Sequence, residues 1–174
     1  MISDFSLTLV HLFLQKKIMS LQIGSPAPDF TLMDSEKNRV TLSSYRGKNV
    51  LLLFYPLAFT GTCTKELCYM RDNLLQYNNL DAIVFGISVD SLFAQAEFKK
   101  QQGINFPLLS DFNKTVSTVY GSIYEHFILD MDGVSRRSAF IIDKSGVLRY
   151  AEVLESASEL PDFNSILKCL NDLK

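Results

Sequence analysis

VLLLFYPLAFTGTCTKELCYMRDN, Val50 to Asn73, is the stretch that decides how the chain is read. It opens on a short apolar run, Val50 to Tyr55, which reads as a strand buried on both faces. Pro56 ends the strand, because proline has no N–H to give a sheet ladder. The loop Ala58-Phe59-Thr60-Gly61-Thr62 follows, and then Cys63. From Thr64 onward Leu67, Met70, Leu74 and Leu75 recur at spacings of three and four among Lys65, Glu66, Arg71 and Asp72, which is the period of an amphipathic helix. The order is buried strand, tight loop, cysteine, helix.

A thiol at that junction faces the free backbone N–H groups and the positive dipole end of a helix. Both lower the pKa of a thiol held there, and the thiolate is the nucleophile. Thr60 stands three residues before Cys63, where its hydroxyl can curl back onto the sulfur. Cysteine is also a common buried hydrophobe. The residues alone leave a reactive centre and inert packing both open.

Pro56, Thr60 and Cys63 spell P-x-x-x-T-x-x-C, which resembles the peroxidatic signature of the peroxiredoxins. Three further segments carry the same resemblance in the same order. Gly24-Ser25-Pro26-Ala27-Pro28-Asp29-Phe30 is similar to the family's G-x-x-A-P-D-F. Phe106 to Asp111 is similar to its F-P-L-L-S-D, and Arg137 to Asp143 to its R-x-x-F-[IV]-[IV]-D. The likeness runs from about Gly24 to Tyr150. Around Cys63 and Cys68 it is nearer the bacterioferritin-comigratory (Q-type) branch, and around Tyr55 to Gly61 nearer the AhpE-like branch.

The resemblance implies an α/β thioredoxin-like fold with an N-terminal β-hairpin extension, its central mixed sheet flanked by helices. It implies a thiol-dependent peroxidase acting on hydrogen peroxide and organic hydroperoxides. Cys63 would be the peroxidatic thiolate, passing through a sulfenic acid. Thr60 and Arg137 would serve the reacting atoms, and Pro56 would shield the thiolate. Arg137 is taken rather than Arg136 because the family arginine lies three residues before the strand phenylalanine, here Phe140. Glu66 would hold Arg137 or another cation, and reads equally as a first-turn carboxylate favoured by the helix dipole.

Cys68 is the resolving candidate, with a thioredoxin-type, glutaredoxin or low-molecular-weight thiol as reductant. Residues five apart on an ideal helix have Cα atoms about 9 Å apart, and a disulfide needs less than about 7 Å. Resolution by Cys68 therefore requires the first helical turn to unwind. In the alternative, Cys68 packs and an external thiol resolves Cys63, giving a one-cysteine enzyme. A copper-binding thioredoxin-fold protein using Cys63, Cys68 and His126 is the competing reading of another class. A disulfide reductase ranks below both, because it wants C-x-x-C. Neither a cofactor nor a resident metal is expected for the peroxidase. His126 reads as a surface residue and Cys169 as packing.

The remaining chain fits one domain over residues 20–174. At 174 residues and 47% hydrophobic content it can bury a proper core, which excludes disorder. A net charge of −2 without basic or acidic blocks gives no reason to expect nucleic acid. Three cysteines without a regular framework favour a reducing, cytoplasmic setting over a disulfide-stapled secreted one. Residues 1–19 read as an extension, with Met19 the expected initiator. The apolar run Leu7 to Leu14 is shorter than the roughly 20 residues of a membrane span, so no membrane partner is expected. Monomer and homodimer are both compatible with the family.

Further along, Phe30 to Met33 and Arg39 to Leu42 read as a hairpin, and Asp81 to Val89 as a strand parallel to the first. Asp90 or Ser91 caps a helix that puts Phe93, Ala94, Glu97 and Phe98 on successive turns and ends at Gly103. Phe106 to Leu109 reads as a short edge strand and Asn113 to Tyr120 as a brief helix. Ser122 to Ser135 reads as loop or weak strand with its turn at Asp132-Gly133. Ser138 to Ile142 and Val147 to Ala151 pair as a hairpin, and Ser158 to Leu173 closes the fold as a helix.

Overall fold

A computed structural model describes residues 21–174, so the expectations for residues 1–19 lie outside the described residues. Among the described residues, nine strands, four α-helices and one short 3-10 helix (Leu42–Tyr45) follow in chain order. They are β1 (Thr31–Asp34), β2 (Arg39–Thr41), β3 (Asn49–Phe54), α1 (Gly61–Asn78), β4 (Ala82–Ser88), α2 (Leu92–Gln102) and β5 (Leu108–Ser110). Then come α3 (Thr115–Val119), β6 (Ile123–His126), β7 (Asp132–Ser135), β8 (Ser138–Ile142), β9 (Leu148–Val153) and α4 (Phe163–Asp172).

Seven strands form one mixed sheet in the order β2-β1-β5-β4-β3-β8-β9. β3 sits inside it, parallel to β4 through the α1 crossover and antiparallel to β8. All six β3 residues are buried, which is why its sequence is a continuous apolar run rather than an alternating one. Its side chains alternate between two cores. Leu51 and Leu53 join Leu67 and Met70 of α1, Phe98 of α2, and Ile166 and Leu170 of α4. Val50, Leu52 and Phe54 join Phe85, Phe140, Val116 of α3 and Tyr120 on the opposite face. Burying one such side chain is worth about 1.5–3 kcal/mol, so the sheet is stabilised from both sides.

The leading hairpin forms as expected, with Leu32 opposite Val40. Gly86 lets β4 pack closely on β5, because a Cβ there would lie 2.7 Å from Leu108 Cδ2 and force that side chain to shift. Ser91 caps α2 by accepting from Ala94 N–H, and Gly103 ends it in the left-handed conformation at φ 61°.

Four expectations are corrected. The strand at Phe106 to Leu109 is not an edge. β5 lies between β4 and β1, because the leading hairpin adds beyond it through Met33 opposite Ser110. Of the two readings of residues 122–135, loop or weak strand, the strand is the one that forms, but its turn is not at Asp132-Gly133. They form the hairpin β6–β7, with His126 opposite Asp132 and the turn between them at Leu129 and Asp130, both at positive φ. The inward face of α2 is Gln95 and Phe98, while Phe93 is exposed. The last helix begins at Phe163, not Ser158, because Pro161 precedes it and Asp162 caps it by accepting from Asn164 and Ser165 N–H.

Candidate active site

β3 delivers the chain to the site, and α1 carries it away. Beyond Phe54, Tyr55 N–H still bonds to Ile87 O, and buried Pro56 then turns the chain out of the sheet. Phe59 adopts φ 65°, unfavourable for a residue with a Cβ, and its ring meets Phe98 edge-on at 5.1 Å. Thr60 is the extended N-cap residue of α1, and its side chain makes no capping bond. The N–H groups of Thr62 and Cys63 accordingly have no hydrogen-bond partner among the described residues. The helix begins earlier than its apolar period signals, so Cys63 lies inside the first turn.

Cys63 is a free, buried cysteine, and Arg137 reaches it from the start of β8. One guanidinium nitrogen, Nη2, donates to Cys63 Sγ at 3.3 Å and to Ala157 O at 3.0 Å. The other, Nη1, is ion-paired with Glu66 Oε2. Arg137 and Glu66 are both fully buried. Burial pushes the Glu66 carboxyl up to about 7, against the opposing pull of Arg137. The arrangement fixes a planar cation with directed donors beside a sulfur at a helix N-terminus. It suits a group that carries negative charge and an adjoining atom that acquires it.

The residues singled out from sequence fall into two groups. Cys63, Glu66 and Arg137 are brought into contact, and Pro56 and Thr60 line the same pocket, an open cavity of about 780 Å³. Arg136, the neighbouring arginine, faces elsewhere. It donates to Leu154 O, pairs with Glu155 and lies over the Tyr124 ring. The Thr60 hydroxyl does not curl back onto the sulfur. It donates to Leu57 O at 2.9 Å, a nearer acceptor in its own turn.

Cys68 is half-buried one and a half turns further along an unbroken α1, and both thiols are free. Its nearest polar partner is Gln102 Oε1 at 3.9 Å. Cys169 sits on α4, where burial pushes its thiol up. His126 is exposed at the pocket rim and paired with Asp132 at 2.8 Å. Among the described residues no three His, Cys, Asp or Glu side chains gather as metal ligands.

Two features were not singled out from sequence. The Ala157 carbonyl orients Arg137, and a backbone acceptor leaves no sequence signal. The turn of the β6–β7 hairpin supplies an apolar wall of Phe127, Ile128, Leu129 and Met131 to the pocket. Its signal is four apolar residues broken only by Asp130, within a stretch whose sequence reads as loop or weak strand.

Known proteins resemble the chain over most of its length. The AhpC/TSA family matches over residues 23–151. Alkyl hydroperoxide reductase E of Mycobacterium tuberculosis is 45% identical over 136 residues, covering 76% of this chain and 86% of that protein. Peroxiredoxin-2 of Rattus norvegicus is 38% identical over 158 residues, covering 85% of this chain and 75% of that protein. The crystal structure of peroxidoxin BcpB from Mycobacterium tuberculosis matches with a TM-score of 0.78 at 29% identity, over 88% of this chain and 99% of that one. A match over most of the sheet, relatives this similar and a shared fold place the chain in the AhpC/TSA family: it is a peroxiredoxin, an oxidoreductase that reduces peroxides with a thiol.

Proposed function

We propose that Cys63 is the peroxidatic residue and that the enzyme reduces hydrogen peroxide and organic hydroperoxides. The observation that carries this is the Arg137 Nη2 to Cys63 Sγ contact at 3.3 Å, at a helix start whose N–H groups are free. The thiolate attacks one peroxide oxygen and the O–O bond breaks. Cys63 becomes a sulfenic acid, and the other oxygen leaves as hydroxide or alkoxide and takes up a proton. Arg137 faces the charge in both states and cannot be titrated away at working pH. Glu66 holds the guanidinium in position. Pro56, which lines the pocket, shields the thiolate, and the Thr60 hydroxyl, its proton donated to Leu57 O, presents its oxygen as an acceptor for the peroxide O–H. The apolar hairpin wall favours a substrate with an alkyl group, in keeping with a relative named for alkyl hydroperoxides.

Cys68 is proposed to resolve the sulfenic acid. Its sulfur attacks Cys63, a disulfide forms and water leaves. A thioredoxin-type dithiol then reduces the disulfide. Because α1 runs unbroken from Gly61 to Asn78, its first turn must unwind for the two sulfurs to meet. One equivalent of hydrogen peroxide, followed within seconds by mass-spectrometric mapping, tests this. A Cys63–Cys68 disulfide with raised amide exchange over Cys63 to Leu67 is expected. A sulfenic acid persisting on Cys63 beside a free Cys68 would make this a one-cysteine enzyme resolved from outside. A Cys63 that stays reduced would overturn the assignment.

A further inference from the structure

Buried polar groups converge at a second place, at the end of β4. The Ser88 hydroxyl is fully buried and accepts two N–H groups, Gln95 Nε2 at 2.9 Å and its near neighbour Asp90 N at 3.2 Å. Its lone pairs are thus occupied, and its proton goes to Asp90 Oδ2 at 2.7 Å. Gln95, itself fully buried, also donates to Leu109 O, and Ser110 Oγ donates to Asp90 O at 2.7 Å. Asp90 is therefore braced from β4, α2 and β5.

The same oxygen, Asp90 Oδ2, accepts the Ala58 N–H at 2.8 Å. That N–H belongs to the Leu57–Ala58 peptide, and the carbonyl of the same peptide accepts the Thr60 hydroxyl at 2.9 Å. One peptide plane is held at both edges, by Asp90 on one side and by Thr60 on the other. Between them stands Phe59 in its left-handed conformation, which is unfavourable for a residue with a Cβ. We infer that Asp90 is a positioning residue for peroxide reduction: through the Leu57–Ala58 peptide it fixes where the Thr60 hydroxyl and the mouth of α1 stand relative to Cys63. This rests on Cys63 being the peroxide-reactive thiol.

The test compares two reactions of the same sulfur. Peroxide needs the preorganised loop, whereas iodoacetamide needs only an accessible thiolate. Asp90→Ala is expected to slow oxidation of Cys63 by hydrogen peroxide about 10- to 100-fold while alkylation of Cys63 stays within about twofold, since a small misplacement costs that much at a reacting centre. Amide exchange at Ala58 rises in the same variant. Asp90→Asn keeps an acceptor oxygen and recovers most of the rate. In a Thr60→Val background, Asp90→Ala costs less than it does alone, because the two act through one peptide. Should Asp90→Ala fail to fold, Ser88→Ala, which removes only the brace, is expected to give a smaller but equally selective loss. Unchanged Ala58 exchange, an unchanged peroxide rate, or a parallel fall of both reactions would overturn the inference. If the unmodified protein oxidises Cys63 no faster than Cys169, the assignment of Cys63 fails, and the inference fails with it.

Discussion

Cys63 and Cys169 are both cysteines on helices packed against the same face of the sheet. Around Cys63 the helix is just beginning, its first N–H groups are free, and a buried guanidinium donates to the sulfur. Cys169 lies in the body of α4, beside Lys168 and Asp172 on its own helix, with the Arg149 carbonyl at 3.9 Å as its nearest polar partner. Burial pushes its thiol up, with Asp172 acting the same way and the cations of Lys168 and Arg149 acting weakly against it. Residue type does not distinguish a reactive thiol from a packed one here, and burial does not mark the packed one, since Cys63 is buried and Cys169 only half-buried. What differs is whether the surrounding groups stabilise charge on the sulfur.

The largest expected effect removes that difference. Cys63→Ser should abolish peroxide consumption in a coupled assay, and residual turnover would transfer the chemistry to another thiol. Arg137→Gln should lower the rate of Cys63 oxidation by about 10²–10³-fold, the cost of losing an oriented donor to developing charge. It also leaves Glu66 unpaired in the core, and breaking a buried pair from one side costs about 3–5 kcal/mol. Denaturant melts should show that loss. Arg137→Gln with Glu66→Gln should return part of the stability and none of the rate. Recovery of the rate would mean that Arg137 serves the fold alone.

The next effect is a pH slope. The Glu66 carboxyl is raised in the folded protein to about 7, above its ordinary 4.5. Its protonated form is the one that folding favours. Its contribution to stability is therefore complete below about pH 4.5 and is lost as pH rises through about 7. Glu66→Gln cannot titrate, so the stability of the parent relative to this variant should fall across that window. A parallel pair of curves would show that Glu66 stays ionised throughout. The smallest effect is at the other cysteine. Cys169→Ala should leave peroxide turnover within about twofold, as expected of a side chain that only packs.

Much of the fold and the centre of the site were legible in the sequence. The run of β3, the helix period of α1 and the motif from Pro56 to Cys63 are local patterns, and local patterns survive the absence of coordinates. What the sequence leaves hidden depends on partners far along the chain or on turns without their usual residues. β5 resembles an edge strand until the leading hairpin pairs with it across more than seventy residues, as Met33 does with Ser110. The β6–β7 hairpin was hidden because its turn uses Leu129 and Asp130 at positive φ, where glycine or asparagine is the usual signal. Asp132-Gly133, the more conventional turn pair, lies in the returning strand instead.

The site divides in the same way. Arg137 was identifiable from its place before Phe140, but its geometry with Glu66 and Ala157 comes from elements 71 and 20 residues away. Spacing alone points the Thr60 hydroxyl at the sulfur, and only the folded loop brings the competing Leu57 carbonyl within reach. In the sequence Asp90 reads only as a candidate helix cap. That role falls to Ser91, which leaves the Asp90 carboxylate for the loop. A polar residue following a buried strand, with no cap to make, is the feature that marks it.

The central claim is that its surroundings, and not merely its residue type, give Cys63 its reactivity toward peroxide. It is tested most directly by competition within one molecule. The reduced protein is given less than one equivalent of hydrogen peroxide, the remaining thiols are alkylated, and the oxidised fraction at each cysteine is read by mass spectrometry. The account predicts oxidation confined to Cys63, as sulfenic acid or as its disulfide with Cys68, with Cys169 fully alkylated. Oxidation of Cys169 in proportion to Cys63 would contradict it.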